Sequence, residues 1–73
     1  MHTQIIMDAT GDTRHDFDAS DQRAVADAEG RFLKLKKAGY IAAKRTGSGT
    51  SELVREFDPT VKETLFMPRL VGG

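Results

Sequence analysis

The chain has 73 residues, enough for one domain and close to the lower size at which a core forms without a staple. It has no cysteine, which rules out disulfides and thiolate metal sites. Its eleven basic and eleven acidic residues cancel, which argues against holding nucleic acid or an anionic membrane through net charge.

The charge is nevertheless unevenly placed. Positions 8–29 carry seven acids against Arg14 and Arg23, whereas positions 31–45 carry Arg31, Lys34, Lys36, Lys37, Lys44 and Arg45 with no acid. Arg31, Lys34, Lys37, Lys44 and Arg45 therefore form a candidate basic shoulder for an acidic partner. No apolar run reaches the length of about 18 residues that a membrane span needs, and MHTQIIMDATGD lacks the pattern of a signal peptide. The expectation is a soluble cytoplasmic monomer with no membrane or nucleic-acid partner.

In chain order, QIIMDA (4–9) is apolar and β-branched and runs into a turn at Gly11, so it reads as a strand. TRHDFD (13–18) alternates, with Thr13, His15 and Phe17 on one face, and reads as its hairpin partner. DASD supplies helix-start chemistry: Asp18 or Ser20 as cap, Asp21 near the positive pole, and a helix beginning near Ser20. Val25, Ala28, Phe32 and Leu35 then recur at helical spacing over about five turns, ending at Lys36, Lys37 and Gly39. Gly30 in the middle costs up to about 1 kcal/mol relative to alanine.

YIAAKRT (40–46) reads as a third strand, and SELVREF (51–57), beyond the GSG turn, as a fourth with Leu53 and Phe57 on one face. Pro59 breaks that strand. ETLFM (63–67) is the fifth, with Leu65 and Met67 on one face and Phe66 on the other; Pro68 ends regular pairing unless it lies on an edge. The result is an α+β roll of order ββαβββ, a single helix packed on a mixed sheet, with Val25, Phe32 and Leu35 against Ile5 or Ile6, Phe17 and Leu65. Residues 1–68 form the domain and 69–73 a tail, which at about 3.3 Å per residue reaches about 17 Å from the body.

Catalytic sets are sparse. His15 has strand neighbours, Asp16 and Arg14, that point to the opposite face, so it reads as an ordinary strand histidine. Asp8, Asp12, Asp16, Asp18 and Asp21 lack the spacing of a calcium loop and read as turn and cap acids. GSGT lacks the lysine of a phosphate loop, and KLKKAGYIAAKR reads as a solvated helix end and strand exterior. The ending PRLVGG is more specific. Gly72 and Gly73 remove the Cβ atoms where a backbone must thread a narrow channel, while Arg69, Leu70 and Val71 supply a charge and two apolar handles for docking.

The two ends of the chain resemble ubiquitin. Thr10, Gly11 and Thr13 match its Thr-Gly-Lys-Thr turn, and Ser20 and Asp21 its helix start; Arg69, Leu70, Gly72 and Gly73 match its Arg-Leu-Arg-Gly-Gly ending, with Val71 in place of the second arginine. Phe66, Pro68, Gly72 and Gly73 also resemble the ending of the sulfur carriers of molybdopterin and thiamine synthesis. Both families share the β-grasp fold. In the middle segment, no counterpart of ubiquitin's isoleucine-centred recognition patch is legible.

The resemblance implies a β-grasp protein of prokaryotic type that is a substrate and tag, not an enzyme. It holds no cofactor; ATP is used by a partner activating enzyme, which adenylates the Gly73 carboxylate for transfer to a lysine amine or another nucleophile. The implied partners are that enzyme, a conjugation target and a JAB-type peptidase. Two alternatives stay open: a sulfur carrier bearing a C-terminal thiocarboxylate, and a non-covalent interaction module with an unused tail.

Overall fold

Side-chain alternation governs the first hairpin. In the computed structural model, which describes residues 1–8, 10–46 and 49–68, β1 (His2–Asp8) pairs antiparallel with β2 (Gly11–Phe17), His2 opposite Phe17 and Asp8 opposite Gly11. Gly11 has φ +124°, a conformation that side chains disfavour, which is why glycine opens β2. Phe17 turns inward and is buried, as its alternation with Arg14 and Asp16 requires.

The helix, α1 (Gln22–Lys37), starts two residues later than the sequence suggests. Asp18 accepts hydrogen bonds from both the backbone N–H and the hydroxyl of Ser20, at 2.9 and 2.7 Å, closing a turn ahead of the helix. Capping falls instead to Asp21, whose carboxylate accepts from the N–H groups of Arg23 and Ala24 at 3.0 and 3.3 Å. The helix is therefore about four and a half turns long. Lys34, Lys36 and Lys37 sit in its last turn, and Gly39, at φ +98°, reverses the chain into β3 (Tyr40–Arg45).

Beyond β3 the fourth strand, β4, is only Ser51–Leu53, not the full 51–57. Val54 still donates its N–H to the Ala42 carbonyl at 2.8 Å, but the chain then bends at the charged pair Arg55 and Glu56. The expected sharing of one face by Leu53 and Phe57 is lost in that bend: Leu53 is 74% exposed, whereas Phe57 meets the ring of Phe32 at 5.9 Å. The last strand, β5 (Glu63–Pro68), carries Pro68 opposite Tyr40. Its register with β1 runs only from Glu63 to Phe66, so the proline lies beyond that pairing.

The five strands form one mixed sheet in the order β2-β1-β5-β3-β4, with β1 and β5 parallel and the other neighbours antiparallel. The helix lies across one face. Phe32 of the helix and Ala42 and Phe66 of the sheet form the buried centre between the two, with Ile6, Leu35, Tyr40, Val54 and Phe57 packed around them. Phe32 meets Phe66 edge-on at 5.7 Å, a favoured aromatic geometry. Leu65 and one of Ile5 and Ile6 are expected under the helix, and Ile6 is the isoleucine found there, whereas Leu65 and Ile5 are not. Register puts them on the other face, because Leu65 alternates with the core residue Phe66, and Ile5 with Ile6.

Candidate functional site: the open face of the sheet

The face turned away from α1 has a definite composition, because the strand registers align its side chains in rows. One row is polar: Asp16 of β2 lies opposite Thr3 of β1, Thr3 opposite Glu63 of β5, and Arg45 of β3 reaches Glu63 at 3.5 Å. The middle row is apolar from β1 to β4, running Arg14, Ile5, Leu65, Ala43 and Leu53 through successive paired positions. With strands about 4.8 Å apart, it spans about 19 Å. Beyond it, Met7 stands opposite Asp12, and Ile41 opposite Met67.

Each row is held differently. Thr3 is buried, and its hydroxyl donates to Asp16 at 2.7 Å; that bond, followed by Arg14 at 3.4 Å, keeps the Asp16 carboxyl below its ordinary value of 3.8. Leu65 and Ala43 are buried, while Ile5, Ile41, Met7 and Met67 are half-buried and Leu53 projects. No helix among the described residues packs over this face. Such an arrangement suits docking of another surface; it does not bring an acid, a base and a nucleophile together.

The basic shoulder is distributed over several surfaces. Lys34 and Lys37 are exposed on the helix. Arg31 donates to the side-chain oxygen of buried Gln4 at 2.7 Å and so faces the sheet. Lys44 and Arg45 stand at the far end of β3, about 13 Å along the strand from Tyr40. They are adjacent residues on opposite faces, Lys44 being 3.7 Å from Glu52 and Arg45 3.5 Å from Glu63. A shallow cleft of about 670 Å³ opens beside them, lined also by Asp58 and Lys62. The tail residues Arg69, Leu70, Val71, Gly72 and Gly73 lie outside the described residues.

Among the described residues no cluster of three or more His, Cys, Asp and Glu side chains has the arrangement of a metal site. No helix of the described residues is long and apolar enough to cross a membrane. Comparisons with family models, with curated proteins and with solved structures each find no match.

Sequence reasoning missed the open face, although a signal for it is present. Ile5-Ile6, Ile41-Ala42-Ala43 and Leu65-Phe66-Met67 are consecutive apolar residues in strands, and consecutive positions point to opposite faces. A sheet apolar on both faces with one helix to cover it must leave an apolar face uncovered.

Proposed function

We propose that this chain is a ubiquitin-like modifier of the β-grasp family, whose Gly73 carboxylate is activated by an adenylating enzyme and transferred to a target nucleophile. In the first step a carboxylate oxygen attacks the α-phosphorus of ATP, releasing pyrophosphate and forming the acyl adenylate. In the second, a nucleophile such as a lysine amine displaces AMP, loses its proton and keeps the acyl group.

The observation that carries the reading is the position of β5. It is a central strand beside its parallel partner β1, an order compatible with a β-grasp sheet. Its outward residues Leu65 and Met67 belong to the open apolar face, and it leads directly into PRLVGG. A protein that grips the tail therefore meets an apolar docking surface at the tail's root. The uncovered face supports recognition by a partner, and the bare Gly-Gly supports threading into an active site.

Mass spectrometry of the protein recovered from its native cells tests this. The first readout establishes that Gly73 is the carboxyl end, and the second reads its fate. A Gly73-lysine isopeptide is the expected result. A terminal thiocarboxylate would replace the modifier with a sulfur carrier, and an unmodified carboxylate throughout would leave a non-covalent module.

A further inference from the structure

β4 pairs with only the last three residues of β3: Ala43, Lys44 and Arg45. Below that ladder the single bond from Val54 to the Ala42 carbonyl holds the edge, and residues 40–41 have no strand neighbour on that side among the described residues. The shortfall makes a notch. Its cavity of about 230 Å³ has Ile41, Ala42, Leu53 and Val54 as floor and walls, with Lys36 from the end of the helix and Arg55 from the bend at its rim.

Two features give the notch a preferred occupant. The first is size: it falls below the range of about 300–1,000 Å³ typical of small-molecule pockets and suits one anchoring side chain. The second is charge. No described carboxylate lies within 4 Å of Lys36 or Arg55, and both cations stand at the rim of one small apolar space; in the larger clefts Lys44 and Arg45 face Glu52 and Glu63, and only Lys62, at the 670 Å³ cleft, shares the absence of a described carboxylate partner. An apolar floor under two cations without a carboxylate partner among the described residues, beside a stretch of strand edge without a described neighbour, is complementary to an extended chain with an apolar side chain flanked by acids.

We infer that this notch is a docking site for an extended acidic-hydrophobic segment of a partner protein. The segment's main chain lies along the edge at residues 40–41. Its apolar side chain fills the space between Ile41 and Val54, and its flanking carboxylates meet Lys36 and Arg55. The inference does not rest on the chemistry of the tail, so it stands or falls separately from the modifier reading.

The test is a titration of the full-length, nitrogen-15-labelled chain with the capped peptide Ser-Asp-Glu-Leu-Asp-Ser, followed by amide NMR. A second peptide with Asn and Gln in place of the acids serves as control. The expected result is saturable shifts at Ile41, Val54 and Arg55, weaker binding of the neutral peptide, and weakening as salt rises. Lys36→Glu and Arg55→Glu should each weaken binding two- to fivefold, and about tenfold together, the scale of exposed ion pairs. Should either variant fold poorly, the two peptides still test the charge requirement on the unaltered chain. Absence of shifts at the notch, equal binding of the two peptides, or shifts centred on Ile5 and Leu65 would each overturn the inference. So would shifts at the notch that grow with protein concentration alone, which would make the occupant a second copy of the chain.

Discussion

Arg31 and Gln4 are joined by a hydrogen bond of 2.7 Å from the guanidinium to the side-chain carbonyl of a glutamine that is only 1% exposed. The same glutamine donates its amide nitrogen to the Ala28 carbonyl at 3.0 Å. A polar side chain thus occupies a position on β1 where alternation with Ile5 would predict an apolar one under the helix. Its two bonds satisfy the buried amide and tie one turn of α1 to β1.

Gln4→Ala removes both bonds and leaves a void beneath the helix, so it should cost about 2–3 kcal/mol. Gln4→Met keeps most of the volume and frees Arg31, which is half-exposed and can turn to water, so its cost should be nearer 1 kcal/mol. Urea unfolding of the three proteins measures both. Equal losses for the two variants would show that volume has no part in what Gln4 contributes.

Two glycines with the same open surroundings should respond in opposite directions to alanine. A Cβ at Gly30 or at Gly39 would meet nothing within 4 Å. Gly30 lies inside α1, so Gly30→Ala should stabilise by up to about 1 kcal/mol through helix propensity. Gly39 has φ +98°, so Gly39→Ala should destabilise by about 1–2 kcal/mol through backbone strain alone. Thermal melts of the two single variants, read against the unaltered chain, check the sign of each.

The elements were legible where one physical signal acted alone. The apolar spacing of Val25, Ala28, Phe32 and Leu35 marked the helix, and both Ala28 and Phe32 are buried in it. The alternation around Phe17 marked β2. Legibility failed where signals competed. Asp18, Ser20 and Asp21 are all good caps, and only the pairing of Asp18 with Ser20 decides that Asp21 caps the helix. In SELVREF a continuous strand pattern hid the bend at Arg55 and Glu56, since what moves Phe57 inward is its contact with Phe32, a tertiary effect. The open face was hidden because periodicity shows that a residue is apolar, not which layer it meets.

Acid should destabilise the fold through a repeated device. Asp8, Asp18 and Asp58 each accept from the hydroxyl and the backbone N–H of the residue two positions on, Thr10, Ser20 and Thr60. Those hydroxyl bonds, then the N–H bonds, hold the three carboxyls below 3.8, and the Thr3 hydroxyl does the same for Asp16. A folded-state value below the unfolded one means stability that is present above pH 3.8 and lost as pH falls through the folded values. Urea midpoints should therefore change little from neutral pH down to about 4 and drop below it. Thr3→Val should raise the Asp16 titration toward 3.8 by NMR while leaving that of Asp58 unmoved; a shift in both would point to a general charge effect instead.

Leu53 and Leu65 separate packing from recognition on the open face, since both flank Ala43 in the same row. Leu65 is 6% exposed and Leu53 is 74% exposed. Leu65→Ala should cost about 2–5 kcal/mol, the range for truncating a buried leucine. Leu53→Ala should stay within about 0.5 kcal/mol, as surface substitutions do. Leu53 therefore provides the cleaner test of docking, because its effect cannot be attributed to unfolding. If an activating enzyme approaches the tail across this face, Leu53→Asp places a charge in the apolar row without loosening the core. Conjugates of Gly73 in native cells should then fall while the urea midpoint stays constant. Unchanged conjugation with Leu53→Asp would exclude this end of the row from the docking surface.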